Sequence, residues 1–379
     1  MAQQLKTDRI LFSTIVLMVC FGLVMVYSAS SVTAGVRFQN AQHFLIRQMG
    51  WAAAAFAVLM YFKRKDYRTL SAPTWAFAPL GIIMALLVVA YFRDPRAHRW
   101  LNIGSVGIQP SEFAKPALVV FLAWFMTRRV HAINTRYTIG PAALALGVLA
   151  GSIISADMGS AAVLMATAGA IFFVAGLQPR YFAMAMAAGL VVSSLAILAK
   201  PYRILRVTGY FDPENKILNV IDSKGWLKSH SDKSLASRDV EYQGRQSRIA
   251  VGSGGVLGVG LMKSKQKIFF LPEAHNDFMF AIIGEELGLW GAIAVLMGFL
   301  VIFYRGIRLY WTVPDDFGRF LALGVSVLVL VQALIHMSVV LELVPNKGIP
   351  LPMISYGGSS LLTTLTSFGI LLSVSDHAG

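Results

Sequence analysis

The segment from Ile10 to Tyr27 reads ILFSTIVLMVCFGLVMVY and contains no charged residue. An apolar run of this length can span the hydrocarbon core of a bilayer as a helix. Lys6 and Arg9 precede it and Ser28-Ala29-Ser30 follows it, which is the order of parts in a signal peptide. The apolar region of a cleavable signal usually has about 7–15 residues, and further apolar segments follow this one. We therefore predict an uncleaved first transmembrane helix.

The whole chain has the composition of a membrane protein. Of its 379 residues, 56% are apolar and only 14% are charged, against about 45–50% and about 25% in ordinary globular proteins. A disordered chain, a coiled coil, a disulfide scaffold and a soluble enzyme all fit these values poorly. Cys20 is the only cysteine, so the chain can form no intrachain disulfide.

The apolar segments predict an all-α polytopic membrane protein with about ten transmembrane helices. The spans after the first one are 49–62, 74–92, 113–126, 139–155, 161–176, 181–199, 278–303, 320–343 and 360–375. An even number of spans puts both termini on one side of the membrane. Most basic residues of the short loops fall on that side, so the positive-inside rule places both termini in the cytoplasm. We treat 1–379 as one transmembrane domain.

Residues 200–276 form one long loop on the outer face, between the seventh and eighth spans. Its part from 215 to 238 has the composition of a flexible insertion, and its part from 242 to 280 that of an ordered segment. Lys and Arg outnumber Asp and Glu in this loop, and the whole chain carries a net charge of +14. No nucleic-acid recognition motif accompanies this charge. The basic loop is either solvated or placed to meet anionic membrane lipid.

Carboxylates at membrane depth are the first candidates for function, because a charge there costs at least a few kcal/mol. These carboxylates are Glu112, Asp157, Asp277, Glu285, Glu286 and Glu342. No histidine or cysteine cluster with metal-ligand spacing accompanies them, and the glycines between 252 and 260 do not have dinucleotide-binding spacing. The sequence therefore contains no motif for a metal or for a soluble nucleotide.

Two of these positions carry the strongest expectations. Glu112 and Lys115 are three residues apart at the start of the fourth span, so they can pair on one helical face. The pair either orients helices or lines a polar cavity. Asp277 opens the eighth span, where a carboxylate can cap free N–H groups, so it is either an N-cap or a functional acid. Gly284 and Gly288 share the helical face of Asp277 and predict a groove beside it.

The segment before the last span is rich in proline and glycine. Pro345-Asn346-Lys347-Gly348-Ile349-Pro350-Leu351-Pro352 precedes Ser355-Tyr356-Gly357-Gly358-Ser359-Ser360, which opens the tenth span. Backbone amides at a helix start are an anion site. The alternative is a re-entrant turn that only packs helices. Of Glu285 and Glu286, we expect one to be structural or close to the cytoplasm.

Several of these motifs resemble the SEDS family (shape, elongation, division and sporulation). The match includes Leu271-Pro272-Glu273-Ala274-His275-Asn276-Asp277-Phe278, Gln109-Pro110-Ser111-Glu112 and Ser355-Tyr356-Gly357-Gly358-Ser359-Ser360, and it runs through the whole chain in order. Pro272-Glu273-Ala274-His275 and Lys347 resemble the division branch of the family more than its elongation branch. Asn276 and Asn346 stand where the family usually has Thr, and 215–238 is longer than the family's loop.

The resemblance implies a peptidoglycan glycosyltransferase that polymerises lipid II at the outer face of the cytoplasmic membrane, at the division septum. It implies that Asp277 is the essential acid and that Glu112 and Lys115 are its supporting polar pair. The implied partners are lipid II and nascent glycan, a class B penicillin-binding protein transpeptidase of the FtsI type, and division regulators of the FtsQ, FtsL and FtsB type.

A diphosphate leaving group simplifies the chemistry that this activity needs. Asp277 would act as general base on the 4-hydroxyl of the acceptor sugar, which attacks the donor's anomeric carbon with inversion. Undecaprenyl diphosphate then leaves, stabilised by cations and amide dipoles. A divalent cation, Mg²⁺ or Mn²⁺, could bridge the diphosphate. Besides Glu112 and Lys115, the candidate substrate contacts are Gln246, Ser247, Arg248, Lys267, Lys347, Ser355, Gly357, Gly358 and Ser359.

Other functions fit the same pattern. A lipid II flippase would also need about ten helices and buried charges, although it would favour polar groups at the membrane midplane rather than at a helix start. An elongation-type polymerase and a scaffold without enzymatic activity are the remaining alternatives.

Overall fold

The computed structural model describes residues 8–94, 99–103, 106–154, 157–199, 201–211, 234–345 and 347–377. As predicted, the fold is all-α. Its helices in chain order are α1 (Arg9–Phe38), α2 (His43–Arg64), α3 (Pro73–Arg93), α4 (Pro110–Arg129), α5 (Arg136–Ile154), α6 (Met158–Val174), α7 (Pro179–Leu198), α8 (Pro201–Phe211), α9 (Ser234–Gly254), α10 (Met279–Thr312), α11 (Asp316–Val340) and α12 (Gly358–His377). A short antiparallel hairpin, β1 (Leu101–Ile103) and β2 (Val106–Ile108), precedes α4.

Eight of the described helices are long and apolar enough to cross a membrane: α1, α2, α3, α5, α7, α10, α11 and α12. The other two predicted spans coincide with α4, which carries Glu112 and Lys115, and with α6, which is apolar but has only 17 residues. Each predicted span therefore corresponds to a helix. The number of membrane crossings and the cytoplasmic location of both termini stay predictions.

Some helices extend beyond the predicted spans, because polar residues that follow the apolar segment are buried inside the protein as part of the same helix. The first span was expected to end near Tyr27, but α1 continues to Phe38, and Ser28, Ser30 and Ser31 are buried on it. The long loop contains α8 and α9. Residues 215–233 of the expected insertion lie outside the described residues, and its remainder, 234–238, belongs to α9.

The centre of the bundle consists of α4, α11 and α12. In the most apolar 18-residue stretch of each helix, 83% of the residues of α12 and 72% of those of α11 are buried, whereas no residue of this stretch is buried in α7. Close packing needs small residues here: a Cβ on Gly369 of α12 would lie 2.7 Å from the Leu59 carbonyl oxygen of α2. Similarly, a Cβ on Gly324 of α11 would lie 2.7 Å from Val119 of α4. These helices form a rigid base for the loops that precede α10 and α12.

Helix α10 is kinked at Gly288, whose φ of 66° is outside the helical region. The kink exposes the carbonyl oxygens of Glu285 and Glu286, and these accept hydrogen bonds from the amides of Val259 and Gly260, both at 3.0 Å. Backbone groups of the loop after α9 thus replace the lost helical hydrogen bonds.

The groove expected beside Asp277 is not present on this face of α10. Gly284 packs against Val251 of α9, and a Cβ on Gly254 would lie 1.9 Å from the Gly284 carbonyl oxygen. The prediction was wrong because the small residues admit the backbone of α9 rather than a ligand.

Candidate active site

A cavity of about 640 Å³ lies where the starts of α4, α6 and α12 meet α2, the hairpin and the loop before α10. Its size is within the range of pockets that bind small molecules. Four carboxylates from three elements line it, namely Glu112, Asp157, Glu273 and Asp277. Basic side chains line it as well, namely Arg37, Arg47 and Arg99.

Asp277 lies in the turn that leads into α10. The amides of Asn276 and Asp277 donate to the Glu273 carbonyl oxygen at 3.0 and 3.1 Å. Helix α10 begins at Met279 and Phe278 occupies its N-cap position. Asp277 thus precedes the cap, and its carboxylate lines the cavity.

The loop before α12 closes around Asp277. A Cβ on Gly348 would lie 2.2 Å from Oδ2 of Asp277, so only glycine fits against this carboxylate. A few residues on, the amide of Tyr356 donates to the His275 carbonyl oxygen at 2.9 Å. The two loops therefore hold each other in place on either side of Asp277.

Glu112 and Lys115 pair as the sequence predicted, with 2.7 Å between Lys115 Nζ and Glu112 Oε1. Both side chains are almost fully buried, at 2% and 3% exposure. Lys115 Nζ also donates to Gln332 Oε1 on α11 at 2.9 Å. The second oxygen of Glu112, Oε2, has no hydrogen-bond partner among the described residues. Since Glu112 lines the cavity, its carboxylate retains an acceptor for a bound ligand.

Gln332 and His336 were missed by the sequence analysis. Gln332 Nε2 donates to the Pro350 carbonyl oxygen at 2.9 Å, and His336 Nδ1 donates to the Ile349 carbonyl oxygen at 2.6 Å. The sequence contained a signal for both residues, because two polar residues that are four apart on an otherwise apolar helix lie on one face of it. Together they fix the segment that packs Gly348 against Asp277.

Asp157 is the N-cap of α6. Its carboxylate accepts from the Gly159 amide at 3.0 Å, from Ser160 Oγ at 2.7 Å and from Gln109 Nε2 at 3.2 Å. Burial disfavours the ionised form, but the charges of Lys347 and Arg99 and the Ser160 hydrogen bonds outweigh it, so the pKa of Asp157 lies below its usual value. Asp157 is therefore an ionised structural carboxylate in the cavity wall.

The cationic lining comes from residues that the sequence analysis did not propose as contacts. Arg37 is in the last turn of α1, Arg47 is on α2 and Arg99 precedes β1. The sequence contained a signal for Arg37 and Arg99, because both lie in short loops of the predicted outer face, where the positive-inside rule predicts few basic residues. An anionic ligand would meet these charges in the cavity.

His275 is buried beside the ring of Phe44, with the ring centroids 4.5 Å apart. Burial lowers its pKa, Glu273 raises it and Arg37 lowers it further, so that the pKa of His275 is below the ordinary 6.5. The imidazole is therefore neutral at pH 7.

Gly357, Gly358 and Ser359, three of the candidate substrate contacts, line the cavity with Asp277. The amide of Gly357, however, already donates to Gln48 Oε1 at 3.3 Å. Gly358 packs on Trp51, since a Cβ there would lie 2.2 Å from the indole. Lys347 is close enough to Asp157 to lower its pKa.

The structure does not bring the remaining predicted contacts to the cavity. Ser355 Oγ accepts from the Leu351 amide at 2.9 Å and closes a turn. On α9, Ser247 Oγ donates to the Val340 carbonyl oxygen at 2.8 Å, Arg248 pairs with Glu342, and Gln246 does not line the cavity.

Lys267 belongs to a second buried polar cluster. Its Nζ donates to Glu286 Oε1 at 2.8 Å and to Ser28 Oγ at 3.3 Å. Ser28 Oγ donates to Glu286 Oε2 at 2.5 Å, and Glu285 accepts from Ser264 Oγ at 2.5 Å and from the Lys265 amide at 2.8 Å. We expected one of Glu285 and Glu286 to be structural, and the structure gives both this role.

Among the residues that the structure describes, no group of three or more His, Cys, Asp or Glu side chains is arranged to hold a metal ion.

Comparison with known proteins identifies the family. The family model for FtsW, RodA and SpoVE, described as "Cell cycle protein", matches residues 8–379. The "Probable peptidoglycan glycosyltransferase FtsW" of Geobacter metallireducens is 36% identical over 98% of this chain and 95% of its own length. "Stage V sporulation protein E" of Bacillus subtilis is 35% identical over 98% and 97%.

Solved structures have the same fold. A chain of a peptidoglycan synthase complex that coordinates polymerization and crosslinking has a TM-score of 0.75 and 22% identity, covering 99% of both chains. The rod shape determining protein RodA of Thermus thermophilus has a TM-score of 0.67 and 22% identity, covering 98% of this chain and 97% of its own. From its motifs, its fold and these matches, the chain belongs to the FtsW/RodA/SpoVE family of cell cycle proteins, the SEDS family that its sequence resembles.

Proposed function

We propose that this chain is a peptidoglycan glycosyltransferase that polymerises lipid II during cell division. The relatives named FtsW, 36% identical over nearly the full chain, support this activity. The observation that carries it is that Asp277 and the buried Glu112 line one cavity with Arg37, Arg47 and Arg99.

The geometry suits a single inverting displacement. Asp277 accepts the proton of the acceptor 4-hydroxyl, whose oxygen forms the new bond to the donor's anomeric carbon as the bond to the diphosphate oxygen breaks. The departing undecaprenyl diphosphate keeps the electron pair, and the arginines of the cavity stabilise its charge. Oε2 of Glu112 accepts a hydrogen bond from a sugar hydroxyl or amide.

Further parts of the proposal concern what surrounds the enzyme. The chain works in the cytoplasmic membrane at the septum, beside a class B penicillin-binding protein transpeptidase of the FtsI type and regulators of the FtsQ, FtsL and FtsB type. The fold of this chain is similar to that of a chain in a peptidoglycan synthase complex, and this similarity supports the proposed partnership. Because the described residues contain no group of three His, Cys, Asp or Glu side chains for a metal ion, a divalent cation such as Mg²⁺ or Mn²⁺ would be held mainly by the substrate diphosphate, whose charge it would neutralise.

Reconstitution with labelled lipid II tests the activity. The purified chain is placed in vesicles with and without the transpeptidase, and with and without a chelator. We expect glycan strands longer than one disaccharide unit, with loss of product in chelator if a cation bridges the diphosphate. Movement of labelled lipid II across the bilayer without any glycan, in every arm, would instead identify a flippase and overturn the proposal.

A further inference from the structure

The segment from 255 to 270, between α9 and the loop of Asp277, has two chemically different sides. Its polar side chains Ser264 and Lys267 point inward, at 1% and 3% exposure, and bind Glu285 and Glu286 of α10. The inward side of this segment is therefore held by charge-assisted hydrogen bonds to a membrane-spanning helix.

The outward side of the segment is apolar. Leu257 is 82% exposed and Phe269 is 53% exposed. Further exposed apolar side chains of the segment are Val256, Leu261, Met262, Ile268 and Phe270. Exposed Lys263 and Lys265 lie between them in sequence. A loop in water carries its polar groups outside, and a contiguous apolar patch marks contact with a membrane or a partner.

Two polar contacts between α1 and α10 give the depth of this segment. Asp8, at the start of α1, pairs with Arg305 of α10 at 2.6 Å, and Ser28 of α1 bonds Glu286 of α10 at 2.5 Å. These contacts are twenty residues apart along α1, which is about 30 Å at 1.5 Å per residue. That distance equals the thickness of a bilayer's hydrocarbon core, about 30 Å. The two contacts are therefore as far apart as the two edges of such a core, and Lys267, bonded to Ser28 and Glu286, lies towards the end of α1 whose Arg37 lines the cavity.

The apolar side of the segment continues onto α10. Just beyond the kink, Leu289, Trp290 and Ile293 are exposed at 53%, 63% and 38%. The amide of Leu289 donates to the Gly255 carbonyl oxygen at 3.0 Å, so the segment starts against this part of the helix. Tryptophan and lysine at the edge of an apolar band are typical of the membrane interface.

We propose that residues 255–270 form an interfacial membrane anchor in the leaflet nearest the cavity. Leu257, Met262, Phe269 and their apolar neighbours lie among the acyl chains, and Lys263 and Lys265 reach the lipid phosphates. Because Leu271 to Asp277 follow directly, the anchor sets the depth of Asp277 relative to the lipid headgroups. This inference does not depend on the reaction that the cavity performs.

Site-directed spin labelling tests the anchor. Cys20 is replaced by Ser, and Leu257, Met262 or Phe269 is then replaced singly by Cys and labelled in vesicles of zwitterionic and anionic phospholipid. Collisions with oxygen, which concentrates in the bilayer, are compared with collisions with a water-soluble nickel chelate. Leu300→Cys, on the exposed face of α10, is the lipid reference, and Asn40→Cys, in the exposed turn after α1, is the water reference.

We expect the oxygen-to-nickel collision ratio at the three positions to approach that of the Leu300 label and to exceed the Asn40 label several-fold. A ratio equal to that of the Asn40 label would overturn the anchor, because the segment would then be in water. Low collision rates with both reagents would also overturn it, since a protein surface would then cover the patch.

Discussion

Two buried lysine–glutamate pairs in this molecule are alike in composition and distance but differ in how completely they are satisfied. Lys267 and Glu286 are 2.8 Å apart, and Lys115 and Glu112 are 2.7 Å apart. Both oxygens of Glu286 accept hydrogen bonds, whereas Oε2 of Glu112 has no partner among the described residues. The first pair lies at the kink of α10 and the second in the cavity wall.

The difference shows how to distinguish structural from functional charge in a membrane protein. A buried pair with every acceptor used can only hold its elements together. A buried carboxylate oxygen left without a partner costs about 1–3 kcal/mol, and this cost is recovered when a ligand donates to it. We therefore interpret the Lys267–Glu286 pair as structural, whereas substrate binding by the Glu112–Lys115 pair stays a prediction that the free Oε2 of Glu112 favours.

Neutralising each pair as a unit should separate the two roles most clearly. The double variant Glu112→Gln/Lys115→Met removes the cavity charges, and we expect it to lose polymerisation of lipid II by roughly 100-fold or more. The matched variant Glu286→Gln/Lys267→Met should retain most activity, because replacing a whole buried ion pair is often close to neutral. Equal activity of the two double variants in the glycan assay would contradict the comparison.

Breaking only the structural pair should give the largest loss of stability. Lys267→Met leaves Glu286 buried without its cation, which costs about 3–5 kcal/mol. The free energy of unfolding in detergent measures this, with Lys263→Met, at an exposed lysine of the same segment, as the control expected to change little. Similar unfolding free energies for the two variants would show that the cluster does not hold the segment.

Substitutions at Gln332 should test whether α11 positions the cavity. Gln332→Glu keeps an acceptor for Lys115 but removes the donor to the Pro350 carbonyl oxygen, so Gly348 loses its support against Asp277. We expect kcat to fall by about 10–100-fold with little change in KM, because a small misplacement of the reacting groups slows the chemical step.

His336 offers the matched control for this prediction. His336→Asn retains a donor for the Ile349 carbonyl oxygen and should keep more activity than His336→Leu. Identical rates for these two variants would show that the hydrogen bond to this segment is unimportant.

A smaller effect should appear in the pH dependence of stability. The pKa of His275 is below 6.5 in the folded protein, so the unfolded chain binds more protons as the pH falls below 6.5. The contribution of neutral His275 is present above pH 6.5 and is lost as the pH falls towards its folded pKa. Unfolding temperatures between pH 7.5 and 5 should decline less for His275→Gln than for the wild type, and parallel curves would contradict this.

The sequence predicts the fold well because apolar length is a local property. Each predicted span corresponds to a helix, and the three-residue spacing of Glu112 and Lys115 is sufficient to predict their pairing. Asp277 stood out because a carboxylate at a helix start within an apolar protein is rare.

What the sequence could not predict depends on contacts between distant elements. Lys267 pairs with Glu286, nineteen residues later, and bonds Ser28 on α1. The sequence placed this lysine in a basic outer loop, whereas in the structure it is a buried structural residue. Gly288 is compatible with a straight helix until the loop after α9 packs against it. Gln332 and His336 gain their roles only because the loop after α11 folds back onto the same helix.

The central claim, that Asp277 is the general base of polymerisation, is tested most directly by Asp277→Asn. This change keeps the size of the side chain and removes its basicity, and positioned base catalysis contributes about 10²–10⁴-fold. The measurement is the rate of glycan synthesis from purified lipid II, with the unfolding temperature of the same preparation. We predict an unchanged unfolding temperature and a rate reduced at least about 100-fold. Glycan synthesis at the wild-type rate by this variant would contradict the account.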